Sequence, residues 1–234
     1  MNGLTPAEWQ ATWLSLKVAL GVALATAPPA ILFGWLLARR QFRGKVILES
    51  LIHAPLVMPP VVTGYLLLIF FGRNGIGGKL LQEWFGLRLV FTVQGAVLAS
   101  AIMALPLAVR SVRLAIELVD GRLEEAARTL GFGPLRVFSR ITLPLAWPGI
   151  LGGILLAFAR SLGEFGATIT FAGNVEGVTQ TLPLAIYSAL QIPGEETAAM
   201  RLVICSLILC FVSLIAAEGF ARWSRRKLND ETGR

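Results

Sequence analysis

Five stretches of this chain are predominantly apolar over more than 20 consecutive residues: 13–38, 47–71, 89–112, 145–172 and 198–220. A helix needs about 20 apolar residues to cross the roughly 30 Å hydrocarbon core of a bilayer. Inside that core every backbone N–H and C=O must be satisfied within the segment. The blocks therefore predict an all-α polytopic membrane protein with five spanning helices. Composition agrees: charged residues make up 15% and mean hydropathy is +0.70, against about 25% charged residues in an ordinary soluble domain. A shorter apolar run, 181–192, is expected to be a re-entrant or interfacial half-helix. Counted as a full crossing it would make a sixth span.

The net charge is +7 with a pI of about 10.2. In a soluble chain this would suggest nucleic acid. Here 15 of the 21 basic residues cluster beside apolar blocks. Arg39, Arg40, Arg43 and Lys45 lie between blocks one and two. Arg110, Arg113, Arg122, Arg128, Arg136 and Arg140 lie between three and four. Arg222, Arg225, Arg226, Lys227 and Arg234 follow block five. With five crossings all three clusters share one side, which the positive-inside rule makes the cytoplasm. The N-terminus is then periplasmic and the C-terminus cytoplasmic, the lipid bilayer accounts for the charge, and no nucleic-acid partner is expected. Reading 181–192 as a span would move the last cluster outside, against that rule. The first block has no basic n-region or cleavage site before it and is expected to be retained as a helix.

Proline falls inside the blocks: Pro28 and Pro29 in the first, Pro55, Pro59 and Pro60 in the second, Pro106 in the third. Each removes an intrahelical hydrogen bond and is expected to bend its helix. Block four carries Gly149, Gly152, Gly153, Gly163 and Gly166, small residues that permit close helix approach. It also carries Arg160 and Glu164, four apart and able to pair. Ionisable groups at membrane depth are costly and usually face an interior or a pathway, so the pair is a candidate gate or, alternatively, a structural clasp. Cys205 and Cys210 lack metal-site spacing and read as apolar fillers. His53 has no companion ligand and reads as a packing or interfacial residue.

No catalytic chemistry is legible. The run at 72–80, GRNGIGGKL, misses the phosphate-loop register and has leucine where the metal-binding hydroxyl belongs. The chain is therefore expected not to hydrolyse ATP. No nucleophile triad, zinc signature or catalytic carboxylate pair occurs, so an enzyme is not expected. Between blocks three and four lies a polar connection of about 30 residues with helical periodicity. Leu123, Ala126, Ala127, Leu130 and Phe132 would form a small-to-apolar face, with Arg122, Arg128 and Thr129 toward water. Gly131, with Gly133 and Pro134, stops that helix as a C-cap glycine followed by proline does. A second short helix then precedes Leu143-Pro144, where block four begins. Such a face needs a partner groove or a lipid surface.

The spacing E-A-A, three residues, G, nine residues, I, x, L-P resembles the coupling motif of ABC importer permeases. Glu125, Ala126, Ala127, Gly131, Ile141, Leu143 and Pro144 occupy its positions without departure. The resemblance implies a type I ABC importer transmembrane domain spanning 1–234, with a core at about 12–220, a cytoplasmic coupling segment at 122–143 and a basic tail at 221–234. It also implies that the segment docks into an ATP-binding subunit, where ATP and magnesium are held, so that this chain binds no cofactor or metal itself. PLVMPPVVTGY, ARSLGEFGATITFAGN and TQTLPLAIYSALQIPG extend the resemblance to molybdate permeases over nearly the whole chain. Sulfate and thiosulfate permeases share SLGEFGA and are the alternative, and tungstate is not separable from molybdate. The resemblance implies a two-fold pair of this chain in a bacterial inner membrane, two ATP-binding subunits and a periplasmic molybdate-binding protein. Candidate residues for the path or gate are Thr63, Tyr65, Arg160, Ser161, Glu164, Thr168 and Thr170. A stand-alone secondary transporter or channel is the alternative of another class, and it has no use for a docking segment.

Overall fold

The computed structural model describes the backbone of residues 4–232 and the side chains of residues 4–216, 218 and 219. The side chains of the tail at 221–234 lie outside that description, and Arg234 lies outside it altogether. Among the described residues all regular structure is helical. The order is α1 (Pro6–Arg39), α2 (Lys45–Val57), α3 (Pro60–Phe71), α4 (Ile76–Phe85), α5 (Val93–Glu117) and α6 (Gly121–Thr129). It continues with α7 (Pro134–Val137), α8 (Leu143–Leu162), α9 (Gly166–Phe171), α10 (Leu182–Leu190) and α11 (Glu196–Thr232).

Local chemistry sets several of these ends. Thr5 and Glu8 form a reciprocal capping box with Pro6 at the first helical position of α1. Thr92 caps α5 through the Gly95 N–H. Three helices, α1, α5 and α8, make the central core, in which Val22, Leu37, Val109, Val112, Ile116 and Ile150 are fully buried.

Contacts fix the direction of each helix. On α1, a Cβ on Gly21 would meet Val97 at 2.8 Å, and one on Gly34 would meet Val112 at 2.7 Å. The register runs the same way on both helices, so α1 and α5 are parallel. Their last turns meet where Arg39 Nη2 donates to the Val119 carbonyl at 2.9 Å. On α8, Gly149 abuts Ala115 and Gly153 abuts Ser111, which makes α8 antiparallel to α5. The start of α11 meets the start of α1 through Arg201 and Glu8, 2.7 Å apart. Two parallel helices joined in sequence require a crossing between them, and α2 with α3 supplies it. The nine residues of α10 reach only about 14 Å at 1.5 Å per residue and do not cross. Among the described residues four helices are long and apolar enough to span, and the α2–α3 pair, taken as one broken span, makes the fifth. The ends of α1, α5 and α11 and the start of α8 therefore share one side.

Three expectations change in detail. Block two is not one bent helix: α2 and α3 meet at 115°, with Met58 extended between them because Pro59 and Pro60 both withhold a backbone donor. Block four breaks at residues 163–165, and only α9 continues it. The short helix before Leu143-Pro144 is not separate from block four, since α7 runs through a π-helical turn at Phe138–Thr142 directly into α8. Pro28, Pro29 and Pro106 lie inside α1 and α5 without interrupting them.

Candidate functional site

Two places bring the sequence-selected residues together. The first is the end where α1, α5 and α8 meet the polar connection. Asp120 caps α6 by accepting the Arg122 N–H at 2.9 Å. Gly131, at φ +83°, ends the helix. The N–H groups of Gly131 and Phe132 bond to the carbonyls of Arg128 and Ala127 at 3.0 and 3.1 Å, the paired bonds of a Schellman motif. One carboxylate holds this segment to the spans. Glu124 Oε1 accepts from Arg39 Nε at 3.0 Å and from the buried Thr142 hydroxyl at 2.7 Å, and Oε2 lies 3.4 Å from Arg128.

Glu124 was not singled out from the sequence; its neighbour Glu125 was. The structure buries Glu124 and leaves Glu125 exposed. Of the motif residues, Ala127 is buried, Ile141 and Leu143 are half-buried, and Ala126, Gly131 and Pro144 are exposed. Around them Leu118, Leu130 and Leu135 are 87%, 78% and 78% exposed. They form an exposed apolar rim around a charged helix, α6, that is too short and polar to cross a membrane. Arg128, expected toward water, is half shared with Glu124.

The second place is where the two broken spans abut. A Cβ on Gly64 of α3 would lie 2.7 Å from the Ala167 carbonyl oxygen and 2.9 Å from Thr170 Cβ, and one on Gly166 would lie 2.8 Å from Pro60 Cβ. The break in block two thus sits against the break in block four. Glu164 pins the second break. One oxygen pairs with Arg160 at 2.9 Å, and the other accepts the Ala167 N–H at 3.1 Å. Both carboxylate oxygens are thus engaged within the span. Ser161 donates to the Phe158 carbonyl at 2.7 Å and Thr170 to the Gly166 carbonyl at 2.9 Å. Thr168 Oγ1 lies 3.3 Å from Ser100 Oγ, both buried. Thr63 is buried, and its Oγ1 has no hydrogen-bond partner among the described residues. Tyr65, on α3, is exposed. Ser100 had no signal in the sequence beyond a polar residue in the small-residue run of block three. A third polar group, in which Asn174 and Gln180 both donate to Ser188 Oγ at 2.8 and 3.3 Å, ties the 173–181 connection to α10. It also was not legible, because its members are spread from the connection at 174 and 180 to α10 at 188.

Two spans broken at abutting positions, a short polar helix pair at one end and five apolar crossings together define the transmembrane domain of a type I ABC importer. The chain belongs to the family described as binding-protein-dependent transport system inner membrane component, matched over residues 30–226. It is 55% identical over 224 residues to the molybdenum transport system permease protein ModB of Escherichia coli K12, covering 96% of this chain and 98% of that one. It is 40% identical over 198 residues to the chloroplastic sulfate permease 2 of Chlamydomonas reinhardtii, covering 83% and 53%. Among solved structures, an inward-facing MetNI methionine ABC transporter matches with a TM-score of 0.70 at 16% identity, covering 92% of this chain and 94% of that one, a likeness in fold.

Proposed function

We propose that this chain is the permease subunit of an importer that moves molybdate across the bacterial inner membrane, driven by ATP hydrolysis on a separate subunit. The observation that carries the substrate is 55% identity, end to end, with a molybdenum permease against 40% with a sulfate permease. Tungstate, of like size and charge, is the expected second substrate.

In this reading two copies form a two-fold pair, and each presents α6 and α7 to one of two ATP-binding subunits. Glu125 and Ala126 meet the partner, Ala127 and Gly131 set the helix and its turn, and Ile141, Leu143 and Pro144 root the segment in the spans. The exposed leucine rim supports this. The side carrying the segment is cytoplasmic, with the start of α1 periplasmic, as the three basic clusters favour. A periplasmic molybdate-binding protein delivers the anion to the opposite face. The abutting breaks near Thr63, Gly64, Gly166 and Thr168 form part of the path. Irregular backbone at membrane depth is tolerated where it lines a wet cavity, and the Thr63 hydroxyl is a donor without an acceptor among the described residues. Ser161 and Thr170 would turn from carbonyls to the anion, and Arg160 with Glu164 would hold the break while Tyr65 lines the shared face. Neutral hydroxyl donors suit a passage that must release its cargo. No ATP or metal is held by this chain.

The test is ATP hydrolysis by the assembled transporter in nanodiscs. Molybdate-loaded binding protein should stimulate it, and sulfate should not substitute. Equal stimulation by sulfate would move the substrate assignment. Stimulation unaffected by Ala126→Trp would remove α6 as the docking element.

A further inference from the structure

The end of α1 carries a cavity that neither the docking surface nor the path uses. It has a volume of about 430 Å³ and lies between α1, α6 and the π-helical turn. Its charge is unbalanced. Arg39, Arg40 and Arg128 line it against the single carboxylate of Glu124, whose two oxygens are already taken by Arg39, Thr142 and Arg128. Arg40 is exposed and has no carboxylate partner among the described residues; its guanidinium stands over the Trp35 ring, 5.6 Å from the centroid. The Trp35 ring in turn meets Phe138 edge-on at 5.6 Å. The site is therefore one guanidinium unpaired among the described residues, Arg40, and a second, Arg128, held to Glu124 only by a long 3.4 Å contact, beside an aromatic wall.

Its depth in the membrane follows from α1 itself. Tryptophan settles at the two bilayer interfaces. Trp13, exposed with Lys17 against its ring, and Trp35 are 22 residues apart, about 33 Å along the helix. That matches a hydrocarbon core of about 30 Å. Trp35 thus lies at one hydrocarbon boundary, and Arg39 and Arg40, a turn further on, lie at the level of lipid phosphates. Basic pockets between spans at that depth suit anionic headgroups.

We propose that this cavity binds the phosphate of an anionic phospholipid, with Arg40 and Arg128 donating to it and Trp35 and Phe138 against the glycerol shoulder. The same Arg128 and the neighbouring Glu124 belong to the coupling segment, so the bound lipid braces that segment against α1. The choice of the cytoplasmic leaflet rests on the orientation proposed above; the cavity, its charge and its depth do not.

The experiment is native mass spectrometry of the delipidated full-length chain, alone and with its ATP-binding subunit, titrated with phosphatidylglycerol or phosphatidylcholine. We expect one phosphatidylglycerol per chain retained in preference to phosphatidylcholine. Arg40→Gln should weaken it about fivefold and Arg40→Gln with Arg128→Gln about 25-fold, while Arg40→Lys, which keeps the charge, restores most of the loss. Equal retention by wild type and the double variant would overturn the proposal. Displacement by inorganic phosphate as effective as by the lipid would overturn it in favour of a free-phosphate site. Loss of the lipid when the ATP-binding subunit is added would assign the cavity to that protein. None of these readouts requires transport, so a failure of molybdate uptake and a failure of lipid binding are separately visible.

Discussion

Removing the Glu124 carboxylate should release the α6–α7 segment from the spans while the bundle stays folded. Glu124→Ala deletes the two short charge-assisted bonds to Arg39 and Thr142, at 3.0 and 2.7 Å, and leaves the buried Thr142 hydroxyl without its acceptor. Breaking a buried ion pair by removing one partner costs about 3–5 kcal/mol. Arg39 keeps the Val119 carbonyl and is 20% exposed, which places the loss at the lower end, about 3 kcal/mol. At 1.4 kcal/mol per tenfold, local opening of the segment rises about 150-fold. Amide hydrogen exchange across residues 121–142 in nanodiscs reads this directly, and α1 and α5 serve as internal controls. Glu124→Gln keeps an acceptor for Thr142 and should show a smaller rise, about tenfold. Exchange within threefold of wild type in Glu124→Ala would refute the idea that this carboxylate anchors the segment. A rise spread equally over α1, α5 and α8 would show a general unfolding instead.

Gly131→Val places a β-branched residue at φ +83°, at a cost of about 1–2 kcal/mol. Exchange of the amides at 131 and 132 should rise about tenfold, and unchanged protection there would show that the turn tolerates a side chain. Gly64→Val drives a side chain into the Ala167 carbonyl and Thr170; overpacking of about 1–3 kcal/mol should lower the thermal midpoint and expose α9 to exchange, whereas a wild-type midpoint would mean the two breaks do not touch. A reporter fused after Arg234 should read cytoplasmic, and a periplasmic signal would invert the proposed orientation.

The apolar blocks made α1, α5 and the membrane part of α11 legible, because length and hydropathy alone decide whether a helix can cross. The short length of 181–192 likewise foretold that α10 does not. The break in block two was visible as prolines, but not its angle, which depends on where α3 packs against α9. The break at 163–165 was hidden: the residues there read as continuous membrane helix, and what interrupts it is Glu164 turning to Arg160 and to the Ala167 amide. The choice between adjacent carboxylates was also out of reach. Helical periodicity around 124–125 cannot say which one faces Arg39, a residue 85 positions away in sequence. The turn at Gly131 followed from glycine chemistry. The continuity of α7 with α8 did not, since a π-helical turn leaves no cap residues to read.

The most direct measurement is molybdate uptake into proteoliposomes holding this chain, its ATP-binding subunit and the binding protein, with sulfate in excess. We expect uptake that needs ATP and all three components, is competed by tungstate and is not suppressed by sulfate. Uptake without ATP or without the partner subunit would contradict the importer assignment, and uptake abolished by sulfate would contradict the molybdate assignment.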